Sequence, residues 1–396
     1  MGRELNARGH QVQLLANESF ASLASVNGLA FRSIVSPDQT DQLLNNPNNW
    51  HPTKSALHGA RWMNRMLEPI YDVCREEIHC KKTIIVNYPG VFAGKLLNEI
   101  HGNPLISLVP MPWMLLSRKA SPKLAGPLNL PQSAPRFLVN AFWYGLETLA
   151  DQLVGPPVNR LREKHGLNRI KRIPRWSYSN DLTIGMFPDW YAPPQTDWPK
   201  NTQLVGFARF DGHLNPEVPC PTQAFIDAGA PPIAITFGTG MRHAAPMFKN
   251  AVDACEQLKL RCILLSADSK QLPSELPSST HHCPFASFER LFPQCAAVIH
   301  HGGIGTTAQA LAANLPQLIM PLAWDQFDNA DRVRRLKAGD SIASNASPEI
   351  IAKALAKLAA TSNALRPTDY ANKIGRQSPF KDAADHIESS AGRHQE

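Results

Sequence analysis

Between residues 231 and 361 short apolar runs alternate with stretches of helical spacing, and no other feature restricts the fold as much. "PPIAITF" ends at a Gly-rich "GTG"; "MFKNAVDACEQLKL" has helical spacing, and "RCILLSA" reads as a second strand. "HHCPFASFERLFPQC" reads as a loop with a short helix, and "AAVIHH" as a third strand. A helix "TTAQALAANL", a fourth strand "PQLIMPL" and a helix "QFDNADRVRRLKAG" closed by Gly339 follow. Ser347 in cap position with Pro348 in the first turn then starts a further helix. Strand, helix, strand in this rhythm predicts a parallel, doubly wound sheet.

The N-terminal half is similar but less regular. "HQVQLLA", "LAFRSIV", "TIIVNYP", "PLISLVP" and "DLTIGMF" read as strands, with long helical patterns near 55–79 and 135–165. Residues 189–221 are rich in Pro, Trp and Asp with little periodicity, which predicts loop and interdomain linker. We place the boundary near 217, giving two Rossmann-like domains, 1–216 and 217–396, with the last helix packing back on the first.

Composition excludes other classes. The 396 residues are 43% hydrophobic and 18% charged, with a formal charge of +7, as in an ordinary globular chain. The densest basic stretch, "REKHGLNRIKRIPR" at 162–175, has no aromatic interleaving and fits no DNA-reading motif. It reads first as a solvated helix end and only second as contact with an anionic membrane surface. The seven Cys, Cys74, Cys80, Cys220, Cys255, Cys262, Cys283 and Cys295, form no C-x-x-C pair, which argues for a reducing, cytoplasmic setting. The longest apolar stretch, "PLISLVPMPWMLL", is too short and Pro-broken to span a bilayer.

The chemistry concentrates at "HHGGIGTT", residues 300–307, which follows one strand and opens one helix. Backbone N–H groups at a helix start are unpaired and lie at the positive end of its dipole. Gly302, Gly303 and Gly305 allow close approach, and Thr306 and Thr307 bring hydroxyls to the first turn, which together suit a phosphate or diphosphate. The second Gly-rich turn, Gly238, Thr239 and Gly240, also follows a strand and could face the same crevice. Neither turn has the spacing of a Walker loop or a dinucleotide fingerprint, which disfavours a nicotinamide dehydrogenase. In "WDQFDNA", Asp325 and Gln326 offer an acceptor and an amide to sugar hydroxyls, although Asp325 alone would pass as a helix N-cap.

The run from "VIHHGGIGTTAQA" to "MPLAWDQFDNADRV", with "GMFPDWYAPPQTDWP", "LVGF" and "ITFGTGMRHAAPMF", resembles the donor-site signature of family-one nucleotide-sugar glycosyltransferases. The likeness is to the bacterial branch that holds a rhamnosyltransferase subunit, sterol glucosyltransferases and macrolide and glycopeptide glycosyltransferases. It implies the GT-B fold: two facing Rossmann-like α/β domains, acceptor site in the first, donor site in the second. It implies that His301, Gly303, Gly305, Thr306, Thr239 and Gly240 bind the donor diphosphate, and that Asp325 and Gln326 bind the sugar. His282 falls at the base-binding position, where relatives hold a stacking aromatic. The implied reaction is inverting displacement at the anomeric carbon, passing a hexose from a UDP- or TDP-sugar to a lipid or other hydrophobic acceptor. It implies no cofactor, and no Asp-x-Asp cluster is present to hold a metal.

Relatives begin with an apolar strand and a loop that carries the base or its orienter, whereas Met1 here lies inside the helix ending "ARGH". The first strand of the N-terminal domain is therefore expected to be missing, the catalytic residue is unknown, and His51 and His58 are the substitutes in reach. Two expectations follow: an active enzyme with a start recorded too late, or a truncated, inactive relative that still binds a nucleotide sugar or a partner. Trp50, Trp62, Trp113 and Trp143 would suit a hydrophobic acceptor but singly read as core.

Overall fold

The computed structural model describes residues 1–78, 83–125, 129–131, 133–210, 217–365 and 369–392, without the side chains of 361–365. Cys80 and the boundary segment 211–216 lie outside the described residues, and the six described cysteines are free thiols. Among the described residues no helix is long and apolar enough to cross a membrane.

All strand pairing is parallel. The strands are β1 (Gln13–Asn17), β2 (Ala30–Val35), β3 (Ile85–Asn87), β4 (Leu105–Val109), β5 (Leu182–Gly185) and β6 (Thr202–Leu204) in the N-terminal half. The C-terminal half holds β7 (Ile233–Thr236), β8 (Cys262–Leu265), β9 (Thr280–Cys283), β10 (Ala297–His300), β11 (Gln317–Ile319) and β12 (Gly339–Ser341). These are the parallel, Rossmann-like strands that the sequence pattern predicts.

The six C-terminal strands form one sheet in the order β12-β11-β10-β7-β8-β9. The chain runs outward from β7 through β8 to β9, then returns to place β10 on the other side of β7. Strand order therefore reverses between β7 and β10, and ligands of open α/β sheets bind in the crevice at such a point. Val298 and Ile299 are fully buried, as central strands covered by helices on both faces require.

The N-terminal strands form two sheets, β1-β2 and β3-β4-β5-β6. Both β2 and β3 contribute to one apolar cluster, with Val35 and Ile85 packing around Leu67, Leu96 and Val158. The helix Gly2–Ala7 lies on the four-stranded sheet through Leu5, beside Ala383 and Ile387 of the last helix, Pro379–Gly392. The C-terminal helix thus covers strands of the N-terminal half.

Several elements differ from the sequence reading. "THHC" is strand β9, not loop: Thr280 and Cys283 are buried, and the two histidines between them have hydrogen-bond partners of their own. Gly339 does not close the helix before it. That helix, Gln326–Arg335, ends through Lys337 at φ 56°, while Gly339 starts β12, where a Cβ would fall 2.1 Å from the Gln317 carbonyl oxygen. The stretch read as linker contains β6, the start of a helix at Cys220–Asp227, and the buried Tyr191, Trp198 and Phe207. These aromatics pack with Leu311 and Tyr370, so the segment is part of a core rather than a loose tether.

The basic stretch 162–175 is also not simply solvated. Arg162 is buried and donates to Glu99 and to the Asn168 carbonyl, and Arg175 donates to Glu147 at 2.8 Å. Glu147 lies on the long helix Arg136–Lys164, is 3% exposed, and also takes Arg118 at 3.1 Å. It ties that helix to two flanking segments. Removing one partner of a buried ion pair leaves charge uncompensated, so Glu147→Ala is expected to cost about 3 kcal/mol of stability. A denaturant titration checks this; an unchanged midpoint would mean that the pair contributes nothing.

Candidate functional site

Three loops leave the carboxyl ends of β7, β10 and β11 around the reversal of strand order. The first carries Gly238–Gly240, the second His301–Gly305, the third Trp324–Gln326. The imidazole of His301 stands between the first two. A Cβ on Gly238 would fall 2.7 Å from its Cε1, and a Cβ on Gly303 would fall 2.5 Å from its Nε2. Gly238 and Gly302 have φ of 85° and 94°, the left-handed region that only glycine adopts readily. The glycines serve the ring as much as they serve any ligand.

The two histidines do different things. His300 ends β10 and is fully buried; its Nδ1 accepts from the Gly302 N–H at 3.2 Å, and its Nε2 lies 3.0 Å from Gln317 Oε1. With Nδ1 accepting, Nε2 must carry the proton. His301 has a buried Nδ1 without a hydrogen-bond partner. Burial pushes the pKa of His301 down to about 4, so the ring is neutral near pH 7 and offers one N–H. A buried, unpartnered ring nitrogen is expensive unless something arrives to meet it.

The helix Ile304–Ala312 begins at Gly303, and no side chain caps it. Its first-turn N–H groups are therefore open beside His301, the geometry that takes an anion. Thr306 lies in that first turn and is 8% exposed, whereas Thr307 is turned fully inward. Gly305 and Thr239 are exposed, and Gly240 lies under Trp50 from the N-terminal half, a Cβ there falling 3.5 Å from the indole.

The third loop is held from several sides. Asp325 does not cap the helix it precedes; its Oδ2 accepts from Asn329 Nδ2 at 2.7 Å. Burial raises its pKa from 3.8 to about 6. Gln326 is buried, and its Oε1 accepts the N–H groups of Leu322 and Ala323, so this oxygen shapes the loop and only the amide nitrogen remains for a ligand. Trp324 has φ 59°, donates from Nε1 to the Asn49 carbonyl and packs on Gly59, fixing a strained residue against the N-terminal half. His282 sits at the end of β9 with Nε2 2.9 Å from the Ser266 carbonyl, while Phe285 just beyond it is 48% exposed.

Asn329 is a residue the sequence reading passed over. It is fully buried, donates from Nδ2 to the Gly302 carbonyl at 2.8 Å as well as to Asp325, and accepts from Tyr191 at 2.9 Å. One amide thus joins the second loop, the third loop and the segment read as linker. Its position four residues after Asp325, on the same helical face, was the available signal. Tyr88, in the turn after β3, lies across from this loop: its pKa is pushed up to about 12, first by burial of the hydroxyl end and then by the charge of Asp325. His51 is engaged locally, its Nδ1 accepting from the Thr53 N–H, whereas Nε2 of His58 is buried without a partner.

Comparisons with known proteins agree with this architecture. Residues 251–372 match the C-terminal domain family named for the erythromycin biosynthesis protein CIII. A sterol 3-beta-glucosyltransferase of Saccharomyces cerevisiae is 26% identical over 86% of this chain and 29% of its own length. One from Arabidopsis thaliana is 26% identical over 86% of this chain and 54% of its own. The chain thus spans about a quarter to a half of the length of such relatives. Among solved structures, the calicheamicin glycosyltransferase CalG4 superposes with a TM-score of 0.70 at 19% identity, over 99% of this chain and 93% of that one. The glycosyltransferase VinC, solved in complex with dTDP, superposes at 0.66 and 16% identity over 99% and 95%. The shared fold is GT-B, and the matched C-terminal segment and the sterol glucosyltransferase relatives support a family-one glycosyltransferase.

Proposed function

We propose that the chain transfers a hexose from a UDP- or dTDP-sugar to a hydroxyl of a sterol or similar hydrophobic acceptor, with inversion and without a metal. The observation that carries this is His301 standing between two glycine turns at the reversal of strand order, with an uncapped helix start beside it. The relatives add the substrate class: sterol glucosyltransferases by sequence, and a dTDP complex by fold.

In this reading the diphosphate lies across both turns. His301 and the first-turn N–H groups from Gly305 and Thr306, with the backbone of Thr239 and Gly240, hold its oxygens. Asp325 and the Gln326 amide take the sugar hydroxyls. Phe285 is better exposed than His282 to meet the base, since the His282 ring is held by Ser266. The acceptor oxygen bonds to the anomeric carbon as the bond to the diphosphate oxygen breaks; the acceptor proton passes to a base and the nucleoside diphosphate leaves with the electron pair. Negative charge grows on the leaving oxygen, where preorganised donors act most strongly.

Incubating the protein with UDP-glucose or a dTDP-hexose and a sterol, and detecting the glycoside by mass spectrometry, tests the transfer. Product is expected; nucleotide binding without product under any donor would reduce the reading to a binding protein.

His301→Ala removes a donor to a charged group and is expected to weaken UDP binding by about 2 kcal/mol. His300→Ala removes only the brace on the turn and is expected to lower stability more than affinity. Titration calorimetry beside thermal unfolding separates the two; equal affinity losses in both variants contradict the assignment.

Asp325 also gives a pH signature. A carboxylate accepts from sugar hydroxyls best when ionised, and with its pKa raised to about 6 it loses that form as pH falls through 6. His301, lowered to about 4, does not titrate in that window. UDP-glucose has no terminal phosphate to titrate in this range, so its affinity is expected to fall about tenfold between pH 7 and 5 in the wild type and to stay flat in Asp325→Asn. The same fall in both proteins removes Asp325 from the sugar site.

A further inference from the structure

Among the described residues, the outward face of the 136–164 helix is left exposed. Phe137, Leu138, Tyr144 and Leu149 are 69%, 45%, 58% and 50% exposed, far from the burial usual for such side chains. At helical spacing these four share one side with exposed Ala141 and Thr148, and no charged residue interrupts it. The opposite side is firmly held: Trp143 is buried and donates to Ser121 at 2.8 Å, and Glu147 takes two guanidiniums. The apolar face is thus presented by a fixed helix.

The charges around this face are mostly positive. From Ser117 to Ala150 the chain carries Lys119, Lys123 and Arg136, while Arg118 is paired with the buried Glu147 and the next acid, Asp151, accepts the Arg172 and Ile173 N–H groups. The neighbouring helix Ser55–Glu76 packs alongside through Asn64, whose amide reaches the Leu153 carbonyl. Residues 42–67 contain no acid, and Lys54, Arg61 and Arg65 are exposed there. By contrast, Arg162 and Arg175 of the most basic stretch are engaged within the fold. An uncharged apolar face rimmed by cations complements the surface of an anionic bilayer, where apolar side chains enter the headgroup boundary and lysine and arginine meet lipid phosphate.

The face also lies close to the cleft. The loop beneath the helix donates from the Lys123 N–H to Asp328 Oδ1 at 2.9 Å, on the helix that follows Asp325 and Gln326. We propose that the 136–164 helix docks the protein on an anionic membrane surface, its apolar face inserted and its cationic rim on the headgroups, so that a lipid acceptor reaches the cleft from the bilayer. The docking is independent of chemistry; only the delivery of acceptor rests on the transferase reading.

Flotation with vesicles of phosphatidylcholine, alone or mixed with phosphatidylglycerol, tests it without any sugar donor, so failure of the transfer reading leaves the result intact. The wild-type chain is expected to float with the mixed vesicles, less with phosphatidylcholine alone, and less at high salt. The exposed pair Phe137→Ser and Tyr144→Ser is expected to lower vesicle affinity about tenfold, with UDP binding and thermal midpoint unchanged. Arg61→Gln with Arg65→Gln is expected to lower it mainly on the anionic vesicles. Absence of flotation, equal flotation of wild type and the Phe137/Tyr144 variant, or a lipid-free dimer that this variant abolishes would each overturn the proposal, the last by showing that a second copy covers the face.

Discussion

One neutral imidazole organises the two glycine turns at the reversal of strand order. His301 occupies the space that side chains on Gly238 and Gly303 would fill, so two turns from different strands close around one ring. That arrangement exists only because β10 returns to the other side of β7, bringing both turns to the point where strand order reverses. Burial keeps the ring uncharged and leaves Nδ1 unpartnered, a cost that an incoming phosphate oxygen would offset.

The second constraint is the tie between the halves. Asn329 joins Gly302, Asp325 and Tyr191; Trp324 joins the third loop to Asn49 and Gly59; His243 lies 3.0 Å from the Asn45 carbonyl. The loops that would grip a donor are therefore the same loops that touch the other half. A ligand seated on them would be sensed across the cleft without any separate relay, and the strained backbone of Trp324 is held by that contact.

Much of this was legible in the sequence because it depended on local pattern. The alternation of apolar runs and helical spacing located the parallel sheet, and glycine after a strand located both turns. What was not legible depended on tertiary partners. "THHC" carries two polar residues at its centre and reads as loop until Thr222 and the Ser266 carbonyl meet them. Gly339 reads as a helix stop until the strand beside it shows that no Cβ fits. The Pro- and Trp-rich stretch reads as linker because its order comes from packing on Leu311 and Tyr370, not from periodicity. Asn329 looked like one more polar helix residue, since nothing local shows that three segments converge on it.

The account stands or falls on the diphosphate seat. Calorimetric titration of the protein with UDP and with UMP, and with dTDP and dTMP, measures it directly, since each pair differs by one phosphate. Two turns and one imidazole converging on that group are expected to make the diphosphates bind at least about tenfold more tightly than the monophosphates, as one or two hydrogen bonds to a charged group require. Equal affinity within each pair, or no binding of either diphosphate, would contradict the account.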